Sequence, residues 1–188
     1  MKIIGQLILS LFFLGAISVL SFFPENMEKI YEFRGGIRIP AGAGTIFSDS
    51  PGTIFNSING GLIVYNPKNK LKARCIYQLP VPEGAKIRQF VLVGNVIIGE
   101  IFAYIGALEW NKPRQGIVFA PISLLPNTPY EVESEKQKKA VKDLPLSGIS
   151  SLIIDRRRTY FIEVEFKSES SVDLNKALEL FYIEIYWD

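Results

Sequence analysis

The feature that most limits the fold is a two-residue alternation of apolar and charged side chains near the end of the chain. In the segment 160–166, which reads Tyr-Phe-Ile-Glu-Val-Glu-Phe, every second position is apolar: Tyr160, Ile162, Val164 and Phe166. Successive side chains of a β-strand point to opposite faces of a sheet, so this period predicts a strand with one buried face. A helix would require a period of 3.6 residues.

A second alternating segment, 177–187, follows after a polar loop at 167–173. Glu179 interrupts the apolar face near the start of this segment. The remaining positions of that face are apolar: Phe181, Ile183, Ile185 and Trp187. Because the connection is a polar loop, we expect 160–166 and 177–187 to be neighbouring antiparallel strands.

The rest of the body has short β-type runs separated by turn sequences rich in Gly, Pro and Asn. Short strands at this spacing predict an all-β chain that folds as an antiparallel β-sandwich. We expect one short helix at 134–142, with Ser134 as its N-cap and Pro145 beyond its end. The predicted earlier strands are 30–39, 61–66, 72–79, 86–93, 96–108, 116–120, 129–134 and 148–154.

The chain begins with Met1-Lys2 and an almost unbroken apolar run at 3–23, which ends before Pro24. A short positive start followed by an apolar run is typical of a secretory signal peptide. An uncleaved membrane anchor is the alternative, because about 20 apolar residues can span a bilayer. We therefore expect 1–21 to be a signal peptide or anchor and 22–188 to be a single domain. The expected location is secreted, periplasmic or at the cell surface, with membrane contact only through 3–23.

Composition excludes several kinds of chemistry. The chain has no histidine, so a Ser-His-Asp or Cys-His arrangement cannot form. Its single cysteine, Cys75, cannot form an internal disulfide or complete a zinc site, and we expect it to be a buried, inert thiol. A net charge of +2 does not favour nucleic acid as a partner. We expect no cofactor and no metal.

Three segments resemble a widespread group of secreted prokaryotic β-sandwich proteins of unassigned function. They are a strand and Leu-Pro-x-Gly-Ala-x-Ile-like turn at 77–87 and two closing strands at 160–166 and 180–186. The resemblance extends over roughly 73–187. It departs from the group at Pro80-Val81-Pro82, where the chain has extra residues. It implies an exported, jelly-roll-like sandwich and transfers no catalytic residue.

Two sets of side chains are candidate ligand contacts. Tyr104, Trp110 and Tyr130 are aromatic residues that could form a platform for stacking a sugar, although aromatic residues of a β-rich chain commonly lie in the core. The run Arg156, Arg157 and Arg158 could bind an anion or an acidic polysaccharide, and a solvated turn is its alternative.

Carboxylates provide the remaining candidates. Glu163 and Glu165 lie on the same face of one strand, where a pair of carboxylates could act on a glycoside or simply be solvated. Asp49, Glu169 and Asp173 have oxygen ligands suited to calcium but lack the spacing of a calcium loop.

These observations support a first hypothesis and two alternatives. The first is an exported, non-enzymatic structural or assembly subunit that forms a homo-oligomer, with 22–34 free to add as a strand to a neighbour. The alternative is an extracellular glycan-binding module with a polysaccharide partner. A carboxylate-only glycoside-active enzyme is the third.

Overall fold

The structure is a computed structural model that describes residues 35–110, 112–131, 136–142 and 152–188, without the side chains of 112–115, 130–131 and 141–142. Strands in this part of the chain form two antiparallel sheets packed face to face. The predicted all-β, antiparallel sandwich is therefore confirmed. The expected signal peptide or anchor at 1–21 lies outside the described residues, and the expected domain boundary stays a prediction.

One sheet has seven strands and the other has five. The seven-stranded sheet contains β1 (Gly35–Pro40), β3 (Ile54–Ile58), β4 (Gly61–Tyr65), β6 (Ile87–Asn95), β9 (Tyr130–Glu131), β10 (Lys136–Lys142) and β12 (Leu178–Trp187). The five-stranded sheet contains β2 (Thr45–Ser48), β5 (Leu71–Gln78), β7 (Glu100–Glu109), β8 (Lys112–Leu124) and β11 (Arg158–Ser168). Two short 3-10 turns, Ala41–Ala43 and Leu174–Lys176, connect strands.

The strands pair in a nested order. β4 pairs with β12, β5 with β11, β6 with β10, and β7 with β8, all antiparallel. The first strand of this set thus pairs with the last, and the pairing proceeds inwards to the β7–β8 hairpin. Nested pairing distributed over two sheets is the topology of a jelly roll. The strands β1, β2, β3 and β9 extend the sheets at their margins.

The core is formed by the inner faces of the two sheets. In β5 and β11 alternate residues are buried, as the two-residue period of the sequence requires. Cys75 lies fully buried on β5, which agrees with the expected buried thiol. The largest fully buried side chains come from both sheets: Phe90, Phe166, Leu62, Leu71, Ile87, Leu92, Ile101, Ile105, Leu124, Ile162, Leu178 and Leu180.

The expectation that 160–166 and 177–187 are neighbouring strands is wrong. β11 lies in the five-stranded sheet between β5 and β7, whereas β12 lies in the opposite sheet between β4 and β6. The polar loop after Ser168 therefore crosses from one sheet to the other. β11 keeps the predicted alternation. In β12 an irregularity between Leu180 and Tyr182 shifts it, so Leu178 and Leu180 are buried with Ile183 and Ile185, whereas Phe181, expected on the buried face, is only partly buried.

The expected helix at 134–142 is also wrong where the structure describes it. Lys136–Lys142 is strand β10, which pairs with β6 so that Lys138 lies opposite Val93 and Ala140 opposite Val91. The buried Gln137 accepts a hydrogen bond from the backbone N–H of Val96 at 2.8 Å. Tertiary pairing of this kind outweighs a weak helical propensity.

Other boundaries differ in smaller ways. β3 was not predicted, because Asn56 and Ser57 interrupt its apolar pattern. The expected strand at 148–154 reduces to an isolated bridge between Ile153 and Lys86, and residues 148–151 lie outside the described part of the chain. Within the described residues, no helix is long and apolar enough to cross a membrane.

Replacing Ile162 with alanine tests the assignment of the core. Ile162 is fully buried on the central strand β11, so Ile162→Ala leaves a cavity and should lower the free energy of unfolding by about 2–5 kcal/mol. The exposed Ile97 provides the matched control, and Ile97→Ala should change it by less than about 0.5 kcal/mol. Denaturant unfolding measures both, and equal effects of the two substitutions would contradict the proposed core.

Candidate functional site

The candidate site lies where β7 ends and β11 begins. These strands are neighbours, and the register places Glu109 opposite Arg158. A tight turn at 155–158 leads into β11, in which the N–H of Arg158 donates to the carbonyl of Asp155 at 3.2 Å. The Asp155 carboxylate accepts a hydrogen bond from the N–H of Arg157 at 2.9 Å. Aspartate at the first position stabilises such a turn through this local bond.

The three consecutive arginines have different partners. Arg156 forms an ion pair with Glu83, and Arg158 donates from Nη2 to Oε1 of Glu109 at 2.9 Å. The hydrogen bond with Glu109 raises the pKa of Arg158 above its ordinary value, while partial burial opposes the rise. The guanidinium of Arg157 has no carboxylate partner among the described residues. Within the described part of the chain, Arg157 thus differs from Arg156 and Arg158, each of which has a carboxylate partner.

Trp110 follows the end of β7 and is 72% exposed. Its indole Nε1 donates to Oγ1 of Thr159 at 3.0 Å, and its backbone N–H donates to the carbonyl of Arg157 at 3.2 Å. The first bond orients the ring at its polar edge, and the second fixes the backbone of Trp110. No cation lies over the Trp110 ring in the part of the chain that the structure describes. The ring is thus positioned by its edge while a large part of its surface remains accessible.

Two clefts meet at the turn. The first, of about 380 Å³, is lined by Glu109, Trp110, Asp155, Arg157 and Arg158, and we name it the Trp110 cleft. The second, of about 480 Å³, shares Asp155 and Arg158 with the first and continues over Phe119 and Leu152. Both volumes fall in the range of small-ligand sites. The Trp110 cleft combines an exposed aromatic ring with several polar groups.

The structure brings together only some of the residues singled out from the sequence. Trp110 and the three arginines lie around one turn, as described above. Tyr104 lies on the outer face of the five-stranded sheet, six residues before Trp110. At the rise of a β-strand this spacing is about 20 Å along the strand. The side chain of Tyr130 lies outside the described residues. Tyr104 and Trp110 are therefore separated along the strand, and the expected platform that includes both stays a prediction.

Tyr104 belongs to a separate polar cluster centred on Glu163, which is only 8% exposed. The Tyr104 hydroxyl donates to Glu163 Oε2 at 2.7 Å, and Arg74 Nη1 lies 3.7 Å from Oε1. Partial burial and the neighbouring carboxylate both raise the pKa of Tyr104. Glu165 forms an ion pair with Lys167. Both glutamates thus have partners within the sheet face and do not form a free acid–base pair, although Glu163 is buried rather than solvated.

Two of the three candidate loop carboxylates are likewise engaged. Asp173 accepts a hydrogen bond from the N–H of Lys176 at 3.2 Å and caps a 3-10 turn, and Glu169 pairs with Lys70 at 2.6 Å. Across the described residues, no group of three His, Cys, Asp or Glu side chains could hold a metal ion. Burial raises the pKa of the Cys75 thiol, so this cysteine is a poor nucleophile.

Sequence reasoning missed three residues around the Trp110 cleft. Glu109 reaches Arg158 through the register of β7 and β11, whereas Glu83 lies in the turn before β6 and pairs with Arg156. Thr159 is the first exposed residue after the arginine run, and no sequence motif identifies it as part of a site. Asp155 was the available signal, because an aspartate immediately before the run is typical of a turn.

No family model matches this chain, and no curated protein matches it. Solved structures with similar folds include the C-terminal CBM6 of LamC, a marine laminarinase from Zobellia galactanivorans. The two chains are 9% identical and superpose with a TM-score of 0.47, and the match covers 81% of this chain and 99% of that one. Another is TmCBM61 in complex with β-1,4-galactotriose, at 6% identity and a TM-score of 0.46, covering 80% and 92%. CsCBM6-3 from Clostridium stercorarium in complex with cellobiose has 10% identity and a TM-score of 0.44, covering 78% and 90%. Likenesses at these values carry no argument about function, which rests on this chain's own residues.

The Tyr104–Glu163 hydrogen bond can be tested by removing one hydroxyl. Tyr104→Phe leaves a largely buried carboxylate with one fewer donor, so it should lower the free energy of unfolding by about 1 kcal/mol. Tyr65→Phe is the matched control, because the Tyr65 hydroxyl makes no hydrogen bond within the described residues. Urea unfolding of both variants provides the comparison. An effect of Tyr104→Phe no larger than that of Tyr65→Phe would show that the bond contributes nothing.

Proposed function

We propose that this protein is a non-enzymatic, carbohydrate-binding β-sandwich that holds an extracellular glycan in the Trp110 cleft. The observation that carries the proposal is the exposed Trp110 ring, fixed by a hydrogen bond at its polar edge beside a row of charged groups. A large exposed aromatic side chain is costly to hydrate and is characteristic of binding sites.

The Trp110 cleft offers both kinds of contact that a sugar needs. A pyranose ring has an apolar face of C–H groups, which can pack on an indole, and a rim of hydroxyl groups, which require hydrogen-bond partners. Asp155 and Glu109 have carboxylate oxygens that can accept from hydroxyls, and Arg157 can donate. An aromatic surface with a few polar groups is the usual composition of a small-molecule site.

The charges around the turn favour a neutral glycan. The three arginines are matched by Glu83, Glu109 and Asp155, and two of the three guanidinium groups are paired within the protein. A ligand held mainly by stacking and hydroxyl hydrogen bonds should bind with little dependence on salt. Arg157 then acts as a hydrogen-bond donor to a hydroxyl or ring oxygen.

The same pairings favour binding over bond cleavage. Glu109 is engaged with Arg158, Glu83 with Arg156, and Asp155 with the backbone of its own turn. General acid catalysis on a glycoside requires a carboxyl group that can deliver a proton to the leaving oxygen. None of these three groups has an environment suited to that step, so the cleft is proposed to bind its glycan without cleaving it.

The export expected from the sequence agrees with binding of an extracellular glycan. A signal peptide or anchor at 1–21 would place the module outside the cytoplasm, where polysaccharides are exposed. The role of a structural subunit stays a prediction.

The proposal predicts that a neutral polysaccharide changes the emission of Trp110. The chain has two tryptophans, so Trp187→Phe makes Trp110 the sole indole reporter in the full-length protein. Titration with soluble β-glucans, xylans and galactans should give a saturable change with at least one of them. Because stacking is lost, Trp110→Ala should weaken binding by at least about tenfold in calorimetry. The free energy of unfolding should stay within about 0.5 kcal/mol, since Trp110 is exposed.

Tyr104→Phe is the control for this experiment, because Tyr104 lies six residues from Trp110, about 20 Å along the strand direction, and should leave glycan affinity unchanged. A glycan that binds Trp110→Ala as tightly as the unmodified protein would exclude the Trp110 cleft as its site. Absence of a response to every neutral polysaccharide would contradict the proposed ligand class.

A further inference from the structure

The second cleft at this end of the sheet, which we name the Phe119 cleft, has a volume of about 480 Å³. Its apolar part is formed by Phe119 of β8 and by the segment 152–154. Its charged groups are Glu83, Asp155 and Arg158. An apolar surface with a few polar groups is the usual composition of a small-molecule site, so this cleft has the same kind of lining as the Trp110 cleft.

The wall at 152–154 is fixed by its backbone. The N–H of Ile87 donates to the carbonyl of Leu152, and the N–H of Gly84 donates to the carbonyl of Ile154, both at 2.9 Å. Ile153 lies between these two anchored residues and is 48% exposed. The cleft thus presents an apolar side chain on a wall that is already in place, and a preformed wall lowers the entropic cost of binding.

β8 is irregular where it provides Phe119. The register of β7 and β8 shifts between Phe119 and Ile122, so Ala120 and Pro121 lie opposite a single residue of β7. Ala120 has a φ of 49°, a left-handed conformation that costs free energy for an alanine. Bulges re-aim neighbouring side chains, and strained backbone of this kind is concentrated at binding sites. The bulge thus indicates that Phe119 is positioned for a ligand.

The two clefts form one continuous surface. Asp155 and Arg158 line both of them. Phe119 lies opposite Ile105 of β7, five residues before Trp110. At the rise of a β-strand this spacing is about 17 Å along β7. One sugar ring is shorter than this distance, so a glycan that contacts both aromatic rings contains several sugar units.

We propose that the Phe119 cleft binds further sugar units of the glycan that stacks on Trp110, so that the ligand is a segment of several units rather than a single terminal sugar. The inference rests on the function proposed above, because it requires a glycan in the Trp110 cleft. The shared residues Asp155 and Arg158 carry it, since they join the two clefts. A sugar ring in the second cleft can pack its apolar face against Phe119 and Ile153.

The polar groups of the Phe119 cleft suit a neutral sugar. Arg158 donates one N–H to Glu109, and its guanidinium has further donors for hydroxyl groups. Asp155 accepts from the N–H of Arg157 with one carboxylate oxygen, and a carboxylate has further acceptor positions. Glu83 adds a second carboxylate to the lining. A uronic acid would bring its own carboxylate close to these two, so charge repulsion disfavours acidic units here.

A length series of ligands tests the inference in the full-length chain. β-1,4-linked gluco-, xylo- and galacto-oligosaccharides are titrated from the monosaccharide to the hexasaccharide, and the indole N–H signal of Trp110 reports binding. The hexasaccharide of the responding sugar should bind at least about tenfold more tightly than the monosaccharide, because it adds the contacts of the Phe119 cleft. The backbone signals of Gly84, Phe119 and Ile154 should shift with the hexasaccharide and stay in place with the monosaccharide.

Two substitutions isolate the Phe119 cleft. Phe119→Leu removes the aromatic face but keeps an apolar side chain against the core, and Ile153→Ser removes exposed apolar surface. Each should weaken hexasaccharide binding at least about threefold and leave monosaccharide binding unchanged. Val118→Ala is the matched control and should alter neither affinity, because Val118 precedes Phe119 on β8, is 56% exposed and lines neither cleft. Circular dichroism should be the same for all three variants.

The outcomes separate this inference from the proposed function. Hexasaccharide binding that Trp110→Ala weakens, but that Phe119→Leu and Ile153→Ser leave unchanged, would overturn the inference and retain the Trp110 cleft. Equal affinities for the monosaccharide and the hexasaccharide would have the same meaning. Absence of binding by every neutral oligosaccharide would overturn both the inference and the proposed function.

Discussion

The structure depends on the nested pairing of its strands. β4 and β12 meet although Leu62 and Leu180 come from opposite ends of the described chain, and β5 meets β11 in the same way. Each such pair closes a long loop, which costs conformational entropy that only a shared core can offset. The inner faces of β11 and β12 supply that core from the two sheets. Because the single cysteine is free, the stability of the fold relies on apolar burial and on the backbone hydrogen bonds between strands.

The same pairing builds the candidate site. Because β7 and β11 are neighbours in the register that places Glu109 opposite Arg158, the residues just beyond these positions meet at one end of the sheet. Trp110 therefore contacts Thr159, although the two are 49 residues apart in sequence. The strands are fixed by the core, so the side chains at their ends are held on a rigid support. The polar cluster around Glu163 lies on the outer face of the same strands, further from this end.

The sequence predicts local structure better than it predicts partners. The alternation at Ile162, Val164 and Phe166 is a property of one strand, and it correctly indicates which face is buried. It contains no information on which strand lies beside it, so β12 was wrongly placed next to β11. Trp110 and the arginine run could be singled out by residue type alone. Their ion-pair partners could not, because register rather than proximity in sequence brings Glu109 to Arg158.

The most direct test of glycan binding is the position of the ligand on the protein in solution. The two tryptophans give two indole N–H signals in a nitrogen–proton correlation spectrum, one from Trp110 in the cleft and one from Trp187 at the end of β12. Saturation with a bound neutral oligosaccharide should shift the Trp110 signal together with the backbone signals of Asp155, Arg157 and Thr159, while the Trp187 signal stays in place. Shifts confined to Trp187 or to the sheet face around Tyr104 would contradict the assignment of the Trp110 cleft.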